Sequence, residues 1–175
     1  VVQLGDMIDC RDRRAGSSIR VLERVMEAKE KMGERLVVLR GNHEQRFLEQ
    51  LKDRSKTILD DPQLTHERAI DEYFRVLGFV PREHQKFLAN LPLFWESRSF
   101  VFVHGGYCGS RQIAKPSQIP EPDLLNSRIV SKGWRGKSIV RGHTVVPEPC
   151  DYGHFIDTET AGWLDGRPFC VSVIR

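Results

Sequence analysis

The stretch Leu36-Val37-Val38-Leu39-Arg40-Gly41-Asn42-His43-Glu44 sets an amide, an imidazole and a carboxylate directly behind a short apolar run. Three other stretches share that design. Residues 1–4 lead into Gly5-Asp6-Met7-Ile8-Asp9, residues 99–103 into His104-Gly105-Gly106, and residues 138–141 into Gly142-His143-Thr144. Asp6 and Asp9, three positions apart, suit a hard or borderline metal, or one metal ligand and one orienting group. The same pair also suits an ordinary turn, with Asp side chains bonded to backbone. Oxygen from Asp6 and Asn42 with nitrogen from His104 and His143 would suit Mn, Fe or Zn better than Mg or Ca, because imidazole favours the former. Arg11, Arg13 and Arg14 follow in a polar loop. Their planar guanidinium forks match phosphate oxygens in pairs, solvated surface being the plainer use.

Such a site needs strands whose carboxyl ends converge, as they would in one shared sheet. Residues 36–39 read as a buried strand, and Phe47, Leu48 and Leu51 after it fall on one helical face. Residues 1–4 read as a strand and 18–32 as a helix, with Ile19, Leu22, Val25 and Met26 inward and Gly33 as the stop. Strand, helix and strand in that order make a βαβ unit with parallel strands.

Residues 45–92 read as helical throughout, an inserted cap with one stripe of Ala69, Ile70, Tyr73, Phe74 and Leu77 and another of Phe87, Leu88 and Leu91. His84 lies on an apolar face, as a core imidazole would, and His66 near an exposed helix start. Strands follow over 93–95 and 99–103, then a Pro-rich loop over 107–123 and a short helix over 123–130 carrying Arg128. Strands over 138–141, 154–158 and 169–174 complete the chain, the last two flanking the turn dipeptide Asp165-Gly166. Gly136-Lys137-Ser138 is not a phosphate loop, since Ser131 stands where its first Gly is required and a strand follows instead of a helix.

At 175 residues the chain fits a single domain, residues 1–175, with a real core. Its 27 basic and 24 acidic residues leave a net charge of +3, too mild to argue for nucleic acid or a membrane surface. No apolar run reaches membrane-spanning length, and no signal-peptide pattern is present. Cys10, Cys108, Cys150 and Cys170 form no CxxC pair, so neither a zinc knuckle nor a disulfide framework is indicated and a cytoplasmic setting is expected. The chain opens on Val1 inside a strand, without Met, as a piece of something longer would.

Gly5-Asp6-Met7-Ile8-Asp9, Gly41-Asn42-His43-Glu44, His104-Gly105-Gly106 and Gly142-His143-Thr144 resemble four of the five signature blocks of the calcineurin-like metallophosphoesterases, in family order. Within that family the chain is most similar to bacterial and phage serine/threonine phosphoprotein phosphatases. The resemblance implies an α/β fold, a metallophosphoesterase-type β-sandwich flanked by helices, with a helical cap inserted at about 45–92 and the first strand missing. It implies two divalent metal ions in the full-length protein, Mn foremost and Fe or Zn as alternatives. Asp6 would bridge them, and Asn42, His104 and His143 would complete the ligand set of the second metal. His43 would be the general acid, oriented by Asp9. Arg128, in Leu124-Leu125-Asn126-Ser127-Arg128, would clamp phosphate together with Arg11.

The implied reaction is direct attack by a metal-bound hydroxide on a phosphoprotein or small phosphoester, with no nucleic-acid or membrane partner. A symmetrical dinucleoside polyphosphate hydrolase shares the same blocks, and a non-catalytic phosphate- or phosphoprotein-binding relative is the alternative outside enzymes. Three departures stand out. The opening Asp-x-His block is expected ahead of Val1, so this piece alone should be nearly inactive. Cys10 stands where the family has Arg directly after Asp9, and Glu159 where it has Gly after Ile156-Asp157-Thr158.

Overall fold

The computed structural model describes residues 1–9, 17–53, 68–107, 118–130 and 136–161. Arg11 and its loop, His66, the Asp165-Gly166 turn and the strand expected over 169–174 lie outside the described residues.

Strand β1 (Val2–Gln3) leads to helix α1 (Ser17–Met32), a 3-10 turn (Gly33–Arg35) and strand β2 (Val37–Val38). β1 and β2 pair in parallel, Val2 opposite Val37 and Gln3 opposite Val38, as the βαβ reading requires. α1 buries Ile19 and Leu22 in the core that also holds Val38 of β2, and its last turn is held by Lys29, whose Nζ donates to Gly33 O and Leu36 O at 3.0 and 2.6 Å. A cation there also meets the negative end of the helix.

Helix α2 (Asn42–Lys52) starts at Asn42, directly behind β2, so that Asn42 and His43 occupy its first turn. Helices α3 (Ala69–Leu77) and α4 (Arg82–Ala89) follow. Gly78, in the left-handed region, ends α3. Tyr73 and Phe47 lock α3 to α2 through tilted rings 5.4 Å apart, and the Tyr73 hydroxyl meets His84 Nδ1 at 2.7 Å. His84 is thus a hydrogen-bonded core imidazole. Met7, Ile8, Ile19, Leu22, Val38, Phe47, Tyr73 and Leu88 belong to one apolar core, shared by α1 to α4 and the two-stranded sheet.

The second half is a five-stranded sheet with strand order β3-β4-β5-β7-β6. It comprises β3 (Phe94–Glu96), β4 (Phe100–Val103), β5 (Ser138–Arg141), β6 (Cys150–Asp151) and β7 (Phe155–Asp157). β3 and β4 are antiparallel, whereas β4, β5 and β7 run parallel in the centre. Val101, Val103, Ile139, Ile119 and Leu124 form a separate core beneath it. On the same face, at the carboxyl ends of β5 and β7, Arg141 and Asp157, directly opposite in register, make a buried ion pair, with the guanidinium 5.1 Å from the Phe155 ring centre.

Three expectations need correcting. The four functional strand ends do not share one sheet: β1 and β2 belong to one and β4 and β5 to the other. The helix near 123–130 is α5 (Glu121–Asn126), which starts earlier and ends sooner. Pro122 is tolerated in its first turn, and Ser127 turns extended at φ −67, ψ 129, which leaves Arg128 beyond the helix. β6, absent from the sequence reading, pairs antiparallel with β7 through a short turn at Gly153.

Candidate metal centre

Two tight turns build the first half of the site. Gln3 folds its side chain over the end of β1, donating to Gly5 O and accepting from Gly5 N–H, both at 2.8 Å. The chain then enters the left-handed region at Gly5 (φ 96), Asp6 (φ 58) and Asp9 (φ 58). For Asp that conformation is uncommon and must be held by its surroundings. Glu44 holds it. Fully buried, its carboxylate accepts from the N–H groups of Asp6, Met7, Ile8 and Gly41 at 2.8, 2.6, 3.3 and 2.7 Å. Burial and the Asp6 charge push the Glu44 carboxyl up, against the pull of these donors.

Gly41 has to be glycine here, because a Cβ would lie 2.2 Å from Asp6 Oδ1 and 2.4 Å from Asp6 N. Asp6 Oδ1 in turn accepts from the His43 N–H at 3.2 Å, at the positive end of α2.

The five-stranded sheet brings the other half. β4 leads directly into His104, whose Nδ1 donates to Leu4 O at 2.7 Å, since a carbonyl can only accept. With Nδ1 bonded to that carbonyl, Nε2 is the nitrogen that faces Asp6 Oδ2 at 3.2 Å and Asn42 Oδ1 at 3.0 Å and would offer its lone pair to a metal. His143 follows β5 at φ 59, its ring centre 5.1 Å from that of His104. One ligand atom each from Asp6, His104 and His143 lie within 4.8 Å of one another.

The donor set fits a divalent transition metal. With its Oδ1 inward, Asn42 faces both Asp6 oxygens at 3.2 Å and His104 Nε2 at 3.0 Å, a cluster of acceptors that calls for a cation. With the amide turned over, Nδ2 donates to the same atoms and its oxygen accepts from Arg46, so the pocket is also satisfied without one. Asn42, Asp6, His104 and His143 are thus brought together.

Electrostatics follow the geometry. Burial alone would raise the Asp6 carboxyl, but His104 and His43 outweigh it and hold Asp6 down at about 2. Burial alone would lower the His104 imidazole, yet Asp6 and the Leu4 carbonyl raise it. His143 is pulled down to about 4 by burial and by the charges of His104 and Arg128, so its ring is neutral at physiological pH.

His43 stands at the mouth. Its Nδ1 meets Asp9 Oδ2 at 2.7 Å and its Nε2 lies 3.9 Å from Asp6 Oδ2. Despite burial, which acts downward, Asp9 and Asp6 raise its imidazole; burial acts to raise Asp9, but the bond and charge of His43, the Ala69 N–H and the Arg46 charge together lower it. Arg128 is exposed, and its charge is felt at His143. Gly105 N–H donates to Leu124 O at 2.7 Å and Tyr107 N–H to Ile129 O at 2.9 Å, so the Arg128 segment lies along the His104 turn. A Cβ on Gly106 would sit 2.4 Å from Ile129 O.

Two parts of the site escaped the sequence reading. Glu44 sits at the third position of a helix behind Gly41, a place where Glu commonly reaches back to the helix start, but nothing nearby announces its bonds to Met7 and Ile8. Arg46, one turn after Asn42, acts on His43 and Asp9 through its charge.

The profile of the calcineurin-like phosphoesterase family matches residues 1–169, and the chain belongs to that family. Among solved structures, it is similar to a protein serine/threonine phosphatase from Saccharomyces cerevisiae with similarity to human phosphatase PP5. The TM-score is 0.60 at 17% identity, over 94% of this chain and 59% of that one. At that identity the likeness bears on the fold, and the chain spans less than two thirds of its neighbour's length. No curated protein matches it in sequence. Among the described residues no helix is long and apolar enough to cross a membrane.

Proposed function

We propose that this chain belongs to a metal-dependent phosphoester hydrolase acting on phosphoserine or phosphothreonine in proteins. The observation that carries it is the meeting of Asp6, Asn42, His104 and His143 beside a His43–Asp9 pair whose free nitrogen faces the same centre. Asp6, Asn42, His104 and His143 would hold a divalent metal, Mn foremost. A bound metal supplies Lewis-acid charge and lowers the pKa of its water to about 7 in favourable sites.

The chain's own residues do the rest. Arg128 would hold the phosphate oxygens in the paired geometry that guanidinium allows, with Arg11, outside the described residues, as the second candidate. Asp9 keeps the proton of His43 on Nδ1, leaving Nε2 to face the substrate. The carboxylates beside it raise His43, so its ring keeps a second proton further toward neutral pH and can give it to the departing alkoxide.

The test uses the full-length protein with Mn²⁺, a phosphoserine peptide and p-nitrophenyl phosphate. Both should be hydrolysed, and His43→Asn should cut turnover on the peptide by about 10²–10⁴-fold while Mn²⁺ affinity stays within twofold. Unchanged turnover would remove His43 from the mechanism. Faster cleavage of diadenosine tetraphosphate than of the peptide would move the substrate class instead.

A further inference from the structure

Asp9 uses both of its oxygens, and the second one leads out of the site. Oδ2 meets His43 Nδ1, while Oδ1 accepts from the backbone N–H of Ala69 at 2.6 Å, across 60 residues of sequence. Ala69 is the first residue of α3, where the N–H has no partner inside the helix and the helix end favours a negative charge. α3 is itself firmly seated. Ala69 and Tyr73 are fully buried, and Glu72, 3% exposed, accepts from the Ser18 and Ile19 N–H groups of α1 at 3.0 and 3.4 Å. Asp9 sits at φ 58, a backbone state that an Asp keeps only when its surroundings hold it.

We infer that α3 of the helical insertion is a positioning element for the His43 ring: the Ala69 N–H fixes the Asp9 carboxylate, and that carboxylate fixes the imidazole. Ala69 touches neither metal ligand nor substrate, so it acts through Asp9. The inference rests on His43 being the acid proposed above. Its consequence is specific: loosening this bond impairs proton delivery to the leaving group and spares the remaining steps.

Ala69→Pro removes the N–H at a position where Pro is well tolerated in helices. Arg68 before it is already extended, at φ −75, ψ 150, as a residue preceding Pro must be. The Pro ring adds bulk in a buried place, so an amide-to-ester replacement at residue 69, alanine to lactic acid, serves as a second variant. It puts an oxygen in place of the N–H without added bulk, though it also weakens Arg68 O as the acceptor for the Glu72 N–H. Each is measured in the full-length protein with Mn²⁺ on an alkyl phosphate and on 2,4-dinitrophenyl phosphate, whose leaving group needs no proton.

Both variants should lower kcat on the alkyl ester on the order of 10-fold or more, with KM unchanged and the dinitrophenyl rate altered by less than about threefold. Equal losses on the two substrates would reduce Ala69 to a structural role, and no loss on either would sever it from catalysis; both overturn the inference. His43→Asn, run beside them, separates the two ideas. If it shows the leaving-group pattern and the residue-69 variants do not, the inference fails and the acid stands. A flat response in His43→Asn removes the acid and this inference with it.

Discussion

Glu44 does no chemistry, yet Asp6 depends on it. One carboxylate gathers the N–H groups of Asp6, Met7, Ile8 and Gly41, two donors on each oxygen, and so joins the turn after β1 to the turn after β2. Glu44→Gln preserves the shape but turns an NH₂ group against two of these donors. Since a buried donor left unpaired costs about 1–3 kcal/mol, the variant should lose on the order of 3 kcal/mol in urea unfolding and bind Mn²⁺ more weakly. Wild-type stability and metal affinity in Glu44→Gln would mean that Asp6 is held by something else.

At the level of elements, the glycines after His104 let the Arg128 segment lie against the His104 turn. A Cβ on Gly106 would fall 2.4 Å from Ile129 O and 2.9 Å from Ser127 O, the carbonyls on either side of Arg128. Gly106→Ala should therefore push that segment outward at a cost of about 1–3 kcal/mol. If Arg128 binds substrate phosphate, KM should rise several-fold while Mn²⁺ affinity holds. A variant with normal KM and clearly reduced metal affinity would instead place the strain on His104.

For the whole molecule, the site lies where two sheets with separate cores meet. Asp6 and Asn42 come from one half, His104 and His143 from the other, and the Leu4 carbonyl to His104 bond already crosses the joint. A metal there would staple the halves, and a ligand present at about a hundred times its Kd adds about 2.7 kcal/mol to stability. Mn²⁺ should accordingly raise the melting temperature, EDTA should reverse the shift, and Asp6→Ala should abolish it.

The pH dependence has a definite sign. Asp6 and the Leu4 carbonyl raise the His104 imidazole above its ordinary value despite its burial, so a proton competes with the metal as pH falls through that raised value. The Mn²⁺-dependent shift should shrink on acidification. An equal shift in Asp6→Ala would show the metal binding elsewhere.

Much of this was legible in the chain itself. The apolar runs ending in Asp6, Asn42, His104 and His143 marked the ligand candidates, and the order of β1, α1 and β2 determined a parallel pair, because both depend on patterns only a few residues long. The end of α5 before Arg128 was less legible, since Pro122 serves a helix start as well as a loop. Only the tertiary structure decided which strand end lies in which sheet, β1 and β2 in one and β4 and β5 in the other. It also decided that Glu44 answers Met7 and that Asp9 answers Ala69. Partners 37 and 60 residues apart are selected by which surfaces pack, and no local pattern of side chains carries that choice.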